Sequence, residues 1–258
     1  MLEKFSLDEM KRMAKVIFLR AVSAVDPSQR LKDMIRVEKD RLLIKTEEYS
    51  EKAFHLDAFK KIFLIGAGKA SSSMAQTMEE IFGDRITNGV IAAKYGHLLP
   101  LKRIEIIEAG HPIPDQKGFE AAKKIQALLK ECGPEDLVIF LLSGGGSALL
   151  PFPVEGITLE EKQQMTQFLL DCGADIKEIN TIRKHISRIK GGGLARWAYP
   201  STVIGFILSD VVGDQLDVIG SGPTVPDSST FEEAWDILEK HDLIKKVAPS
   251  IKKYLLLG

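Results

Sequence analysis

From residue 61 onward, short uninterrupted apolar runs alternate with stretches whose apolar residues recur every three or four positions. The runs KIFLIG (61–66), GVIAAK (89–94), RIEIIEAG (103–110), DLVIFLLSG (136–144) and TVIGFILSD (202–210) predict strands. Helical spacing predicts helices over 69–82, over 115–132, after a Thr158/Glu161 capping box, and from Asp175 to Lys190. Two more helices are expected in FEEAWDILEKHDL and KKVAPSIKKYLLL. Continuous apolar strands separated by helices imply an α/β fold: three layers, with a mainly parallel sheet flanked by helices on both faces.

The first sixty residues are less regular. Ser6 and Glu9 form a capping box, and Met10, Met13, Ile17, Ala21 and Ala24 follow at helical spacing, so a helix should run to Asp26-Pro27. PSQRLKDMI reads as a second short helix and RLLIK (41–45) as a strand. The segment TEEYSEKAFHLDAF is polar and weakly patterned, and only a connection is expected there.

Composition narrows the function classes. The 258 residues are 45% hydrophobic and carry 35 Lys+Arg against 36 Asp+Glu, for a net charge of −1. That balance argues against nucleic acid as a partner, since such domains carry a basic excess. It leaves room for a small anion held by a few local cations. The two cysteines, Cys132 and Cys172, make neither a disulfide framework nor a zinc site and suit a reducing cytoplasm. The uncharged run Leu137–Val154 contains Gly144, Gly145, Gly146, Pro151 and Pro153, so it cannot cross a bilayer as a helix. No membrane partner is expected.

Ligands of parallel sheets bind beyond the carboxyl ends of the strands. Three Gly- and polar-rich segments follow predicted strands. In Gly66-Ala67-Gly68-Lys69-Ala70, glycines let the backbone approach an anion at a helix start, and Lys69 adds charge. As a dinucleotide fingerprint it is incomplete, because Ser71 takes the third glycine position and Lys94 stands where an acid belongs. In Ser143-Gly144-Gly145-Gly146-Ser147, three successive glycines are costly in chain entropy and suggest a nest for phosphate or carboxylate oxygens. The aspartates of SDVVGD, Asp210 and Asp214, suit Mg²⁺; Asp210 can equally serve as a base. On the helix NTIRKHISRIK, Asn180, Arg183, Ser187 and Lys190 form a polar stripe beside the apolar one, able to bind an anion. Ser221 lies in the following Gly-Ser-Gly loop, and His111 follows a strand closely enough to line the same rim.

The ordered motifs GAGKA, KYGH, EAGHPIPD, LLSGGGSALL, NTIRKHISRIKGGG, LSDVVGD and SGPTVPDSST span nearly the whole chain. Together they resemble the glycerate 2-kinase family, whose second domain is called MOFRL. The resemblance implies a Rossmann-like first domain over 1–258, with the C-terminal MOFRL domain absent from this chain. It implies ATP-dependent phosphorylation of D-glycerate with Mg²⁺, in a cleft to which this chain supplies one half. The other half would come from a second-domain polypeptide, and a homo-oligomer is the other partner expected. By position, the family's lysine matches Lys69, its triple-glycine loop Gly144–Gly146, its basic helix Arg183 and Lys190, and its aspartate loop Asp210 and Asp214. The match does not itself supply roles; from their chemistry Lys69, Asp210, Arg183 and Lys190 are expected at the reaction. Gly66, Gly68, Ser143–Ser147, Asn180 and Ser221 are expected at phosphate or substrate, and Asp210 and Asp214 at the metal.

Two other functions remain open from the sequence. An NAD(P)H-dependent hydroxypyruvate reductase has the strand-GAGKA-helix unit as its support. A non-catalytic half-site module would need a second chain.

Overall fold

The computed structural model describes residues 5–46 and 50–258. Its centre is a five-stranded, wholly parallel sheet. The strands are β4 (Lys61–Ala67), β5 (Ile86–Lys94), β6 (Ile104–Ala109), β7 (Asp136–Leu142) and β8 (Thr202–Ile207), in the order β6-β5-β4-β7-β8. The five expected strands are all present. β4 and β7 are buried almost throughout, which is why they read as unbroken apolar runs. Strand order reverses between β4 and β7, where the chain steps outward in opposite directions, and a crevice opens at such a point.

One face of the sheet is covered by α4 (Gln116–Lys130) and α8 (Gly193–Ala198), around Phe63, Ile65, Ile125, Phe140 and Leu194. The other is covered by α3 (Ser71–Phe82), through Met74, Met78 and Phe82 against Leu64, Ile91 and Ile139. A third core lies beside the sheet among α6 (Leu159–Asp171), α7 (Ile176–His185), α9 (Phe231–Lys240) and α10 (Pro249–Leu257). Glu178 on α7 receives hydrogen bonds from Lys240 and from His241, just past α9, at 2.7 and 3.0 Å; this holds its carboxyl down at about 2.

Three expectations are corrected. The second helix, α2 (Pro27–Met34), stops one residue early, because Ile35 opens β1 (Ile35–Glu38) and pairs with Ile44 of β2 (Arg41–Lys45). The segment expected as a mere connection holds β3 (Glu51–His55), whose pairing with β2 completes a small antiparallel sheet; its residues 47–49 lie outside the described ones. The helix expected to reach Lys190 ends at His185. Beyond it the chain is tied to the 152–153 segment: the Arg188 amide donates to the Phe152 carbonyl at 2.9 Å, and Ser187 bridges Pro153. The four-residue polar stripe therefore does not exist as a helix face; only Asn180 and Arg183 lie on α7.

The N-terminal helix α1 (Leu7–Ala24) forms as its capping box predicts, yet buries none of its residues. Ile17 and Phe18 are 68% and 65% exposed. Because α1 adds nothing to the three cores, a chain starting at Asp26 should melt within about 2 °C of the whole chain. Circular dichroism melting checks this; a much larger drop would contradict it.

Candidate functional site

All five parallel strands send a loop to the same rim. After β4 comes Gly66–Ala70, and after β7 comes Ser143–Gly146, side by side at the switch point. The two are laced together. The Ser143 amide donates to the Ala67 carbonyl, the Lys69 amide to the Gly144 carbonyl, and the Ala70 amide to Ser143 Oγ, each at 3.0 Å. Gly68 donates to Ala92 of β5 at 3.1 Å. The amides of Gly68, Lys69 and Ala70 are thus consumed inside the protein. Gly66 and Gly68 are glycines because they are pressed against β7 and its loop: a Cβ on Gly66 would stand 2.6 Å from the Leu141 carbonyl oxygen, and one on Gly68 would overlap Ser143 Oγ. What this loop presents outward is the exposed Lys69 side chain.

The triple glycine is explained by what approaches it. A Cβ on Gly144 would stand 3.0 Å from Asp210 Oδ2. Gly145 has φ +88°, and a Cβ there would lie 2.8 Å from the His111 ring. Among the described residues, the amides of Gly144 and Gly145 have no acceptor. So the loop after β6 brings His111, the loop after β8 brings Asp210, and both sit over free backbone donors. Asp210 is set by a short turn in which the Val211 amide donates to Ser209 Oγ at 3.0 Å. Asp214 lies four residues on, exposed, with φ +49°.

The His111 pKa is lowered, first by burial, then by the charges of Lys69 and Lys94. The charge of Lys94, at the end of β5, thus reaches His111 as that of Lys69 does. The pattern alone treated Lys94 only as a missing acid. The rim therefore carries two lysines, a histidine biased towards its neutral form, unpaired amides and one carboxylate, a set suited to oxyanions.

Behind the triple glycine lies a second layer. Lys190 is 3% exposed, and its ammonium donates to the Ser147 carbonyl at 3.0 Å, to Ser147 Oγ at 2.7 Å and to the Gly220 carbonyl at 3.4 Å. Ser147 Oγ is 3.4 Å from Ser221 Oγ, and Ser221 donates to Asn180 Oδ1 at 3.0 Å. Ser221 itself is held at φ +62° between two glycines of positive φ, a costly backbone state in a buried serine. The structure thus brings Ser147, Asn180, Lys190 and Ser221 into one chain of contacts, as a support to the glycine turn. Lys184 is paired with Asp227 at 2.6 Å, on the wall of a cavity of about 920 Å³ that Arg188, Lys190, Arg196 and Trp197 also line.

The sequence reading missed Lys162. It lies on the buried stripe of α6 with Leu159, Met165 and Leu169, so a charge inside an apolar stripe was the signal available. Its ammonium donates to the Ile186 carbonyl at 3.3 Å. Burial, then the Arg183 charge, pull its pKa down to about 7. Lys190 is lowered by burial and then by Lys162 and Arg183, and Arg183 is lowered by burial.

Whether these donors suit Mg²⁺ can be judged from their chemistry. Among the described residues, no group of three or more His, Cys, Asp and Glu is gathered as for a metal. Asp210 beside Gly144 nevertheless fits a cation that keeps most of its water and arrives with phosphate oxygens. Cys132 is buried and its thiol is pushed up to about 11, as befits an idle cysteine. Among the described residues, no helix is long and apolar enough to cross a membrane.

Two predictions follow from these charges. His111 should titrate below the ordinary histidine value, and Lys69→Met should move it upward; an unmoved titration by NMR would separate the two groups. The folded-state pKa of Lys162 lies below its ordinary 10.5. Between about pH 7 and 10.5 the unfolded chain therefore binds the extra proton. Stability should rise with pH across that window and fall again on acidification. Lys162→Met should flatten that dependence in urea melts; an identical slope would contradict it.

Comparison with known proteins identifies the chain's relatives. Residues 13–256 match the family described as "Domain of unknown function (DUF4147)". A glycerate 2-kinase from Pyrococcus horikoshii is 44% identical over 92% of this chain and 52% of its own length. A protein from Agrobacterium vitis named putative hydroxypyruvate reductase is 46% identical over 70% of this chain and 47% of its own. The crystal structure of a glycerate kinase from Thermotoga maritima superposes with a TM-score of 0.82 at 38% identity, covering 96% of this chain and 55% of that one. The chain spans about half the length of the curated relatives it matches. With nearly its whole length matched in order and in fold, the chain belongs to the DUF4147 family, of glycerate-2-kinase type.

Proposed function

We propose that this chain is the Rossmann-like half of a glycerate 2-kinase, with the MOFRL-type domain as the other half. In this reading it transfers the terminal phosphoryl group of ATP to the 2-hydroxyl of D-glycerate. The observation that carries it is the convergence of Lys69, His111, the free Gly144 and Gly145 amides and Asp210 at the switch point.

Phosphoryl transfer asks mainly for positioning and charge stabilisation. Lys69 and the two free amides hold phosphate oxygens. Lys190 keeps the Ser147 turn in place beneath them, with Ser221 and Asn180 behind it. Arg183 adds positive charge to that support. Asp210, with Asp214 near it in sequence, would hold a Mg²⁺, which would supply positive charge against phosphate oxygens. Asp210 can instead take the proton from the glycerate hydroxyl as the new P–O bond forms. His111, biased to its neutral form, donates or accepts one hydrogen bond over Gly145 without adding charge.

The hydroxypyruvate reductase name among the relatives raises the rival reading. The geometry disfavours it, because the first turn has spent its amides and β5 ends in Lys94 rather than an acid.

The test is reconstitution: this chain with a second-domain polypeptide, ATP-Mg and D-glycerate, following 2-phosphoglycerate. Lys69→Met should lower turnover by about 100-fold or more. Turnover like that of the wild type would overturn the assignment. Oxidation of NADH with hydroxypyruvate would instead favour the reductase.

A further inference from the structure

Buried charge is normally answered by opposite charge, as Lys184 is by Asp227 at 2.6 Å. Lys190 is buried just as deeply, and its nitrogen meets neutral oxygens alone. They are the Ser147 carbonyl at 3.0 Å, Ser147 Oγ at 2.7 Å and the Gly220 carbonyl at 3.4 Å. As an ammonium, Lys190 would donate all three bonds. As an amine it satisfies the same set: its two N–H groups go to the carbonyls, and its lone pair accepts the Ser147 O–H. Neutral surroundings favour the amine. Burial, then the charges of Lys162 and Arg183, hold its pKa well below the ordinary lysine value.

The Ser147 proton has one competing acceptor, Ser221 Oγ at 3.4 Å. Ser221 spends its own proton on Asn180 Oδ1 at 3.0 Å, so it does not donate to Ser147. The shorter contact, to Lys190, therefore takes the Ser147 proton. Lys190 and Ser221 are 3% and 1% exposed, whereas Ser147 is only half-buried. Two and three residues before it stand the Gly145 and Gly144 amides, which have no acceptor among the described residues. A hydroxyl bonded to a buried amine, near unspent backbone donors, has the parts of a nucleophile, its base and an oxyanion site.

We propose that Ser147 and Lys190 are a nucleophile–base pair that gives the chain a hydrolytic activity on small carboxylic esters. This stands apart from the kinase reading, since it needs neither ATP nor a second domain. Ser147 Oγ bonds to the ester carbonyl carbon as its proton passes to Lys190 Nζ. The carbonyl oxygen takes the electron pair, facing the Gly144 and Gly145 amides. The pair returns as the bond to the alcohol oxygen breaks, and the alcohol leaves with the proton from Lys190. Water then attacks the acyl-serine and gives a proton to Lys190. Ser147 regains that proton as the carboxylic acid departs.

The experiment treats the whole chain with an alkyl fluorophosphonate, which loses fluoride to an activated serine, and locates the adduct by peptide mass spectrometry. Release of p-nitrophenol from p-nitrophenyl acetate is followed in parallel. The wild type should carry the adduct on Ser147, and Ser147→Ala should lose the enzyme-dependent release. Lys190→Met should slow adduct formation by about 100-fold or more. A serine that reacts merely because it is accessible would keep its rate. Should Lys190→Met fold poorly, the pH dependence of the wild type decides. Adduct formation that rises to a plateau, with a midpoint below 10.5, supports the pair; a rate proportional to hydroxide throughout overturns it. A folded wild type without an adduct on Ser147 also overturns it, as does an adduct that folded Lys190→Met forms at the wild-type rate. The kinase reading is judged separately by Lys69→Met turnover.

Discussion

The lacing of two loops through Ser143 is the constraint on which the rest of the site depends. Its hydroxyl accepts from Ala70, its amide donates to Ala67, and the carbonyl of its neighbour Gly144 accepts from Lys69. These bonds tie the ends of β4 and β7 together where strand order reverses. They also leave the Gly144 and Gly145 amides without an acceptor among the described residues, and they carry Lys69 to the rim. The glycines at 66 and 68 permit this contact: β-carbons there would collide with Leu141 and Ser143. The glycines at 144 and 145 leave space for Asp210 and His111.

From this follows a division of labour. Outside the laced loops sit the groups proposed to meet an anion. Inside sits a support made of Ser147, Lys190, Ser221 and Asn180, held by a strained Ser221 backbone. Its buried Lys190 meets only neutral oxygens, and burial lowers its pKa, so the ligand-free protein gives up some stability to it. Functional sites commonly hold such tension, and the neighbouring cores offset it with apolar packing.

Much of the fold was legible because β4, β5, β7 and β8 are apolar on both faces and show as unbroken runs. β1 and β3 were not, since short half-exposed strands owe their form to partners such as Ile44 rather than to their own pattern. The end of α7 was hidden for a similar reason: a helical spacing persists through Ser187 and Lys190, but backbone bonds to Phe152 win there. In the site, Lys69, the triple glycine and Asp210 declared themselves by following strands. His111 was visible only as a neighbour of a strand, and its contact with Gly145 needed the folded chain. Lys162 was missed because a lysine among glutamates and glutamines reads as solvated, although its place on the stripe of Leu159, Met165 and Leu169 set it apart.

The central claim, that the laced loops gather around one phosphate-bearing ligand, is tested most directly by residue-resolved NMR titration with ATP-Mg. The account predicts that the amides of Lys69, Gly144 and Gly145 and the ring of His111 shift together, with one common Kd. Shifts confined to the cavity near Arg196 and Trp197, or different dissociation constants at the two loops, would contradict it.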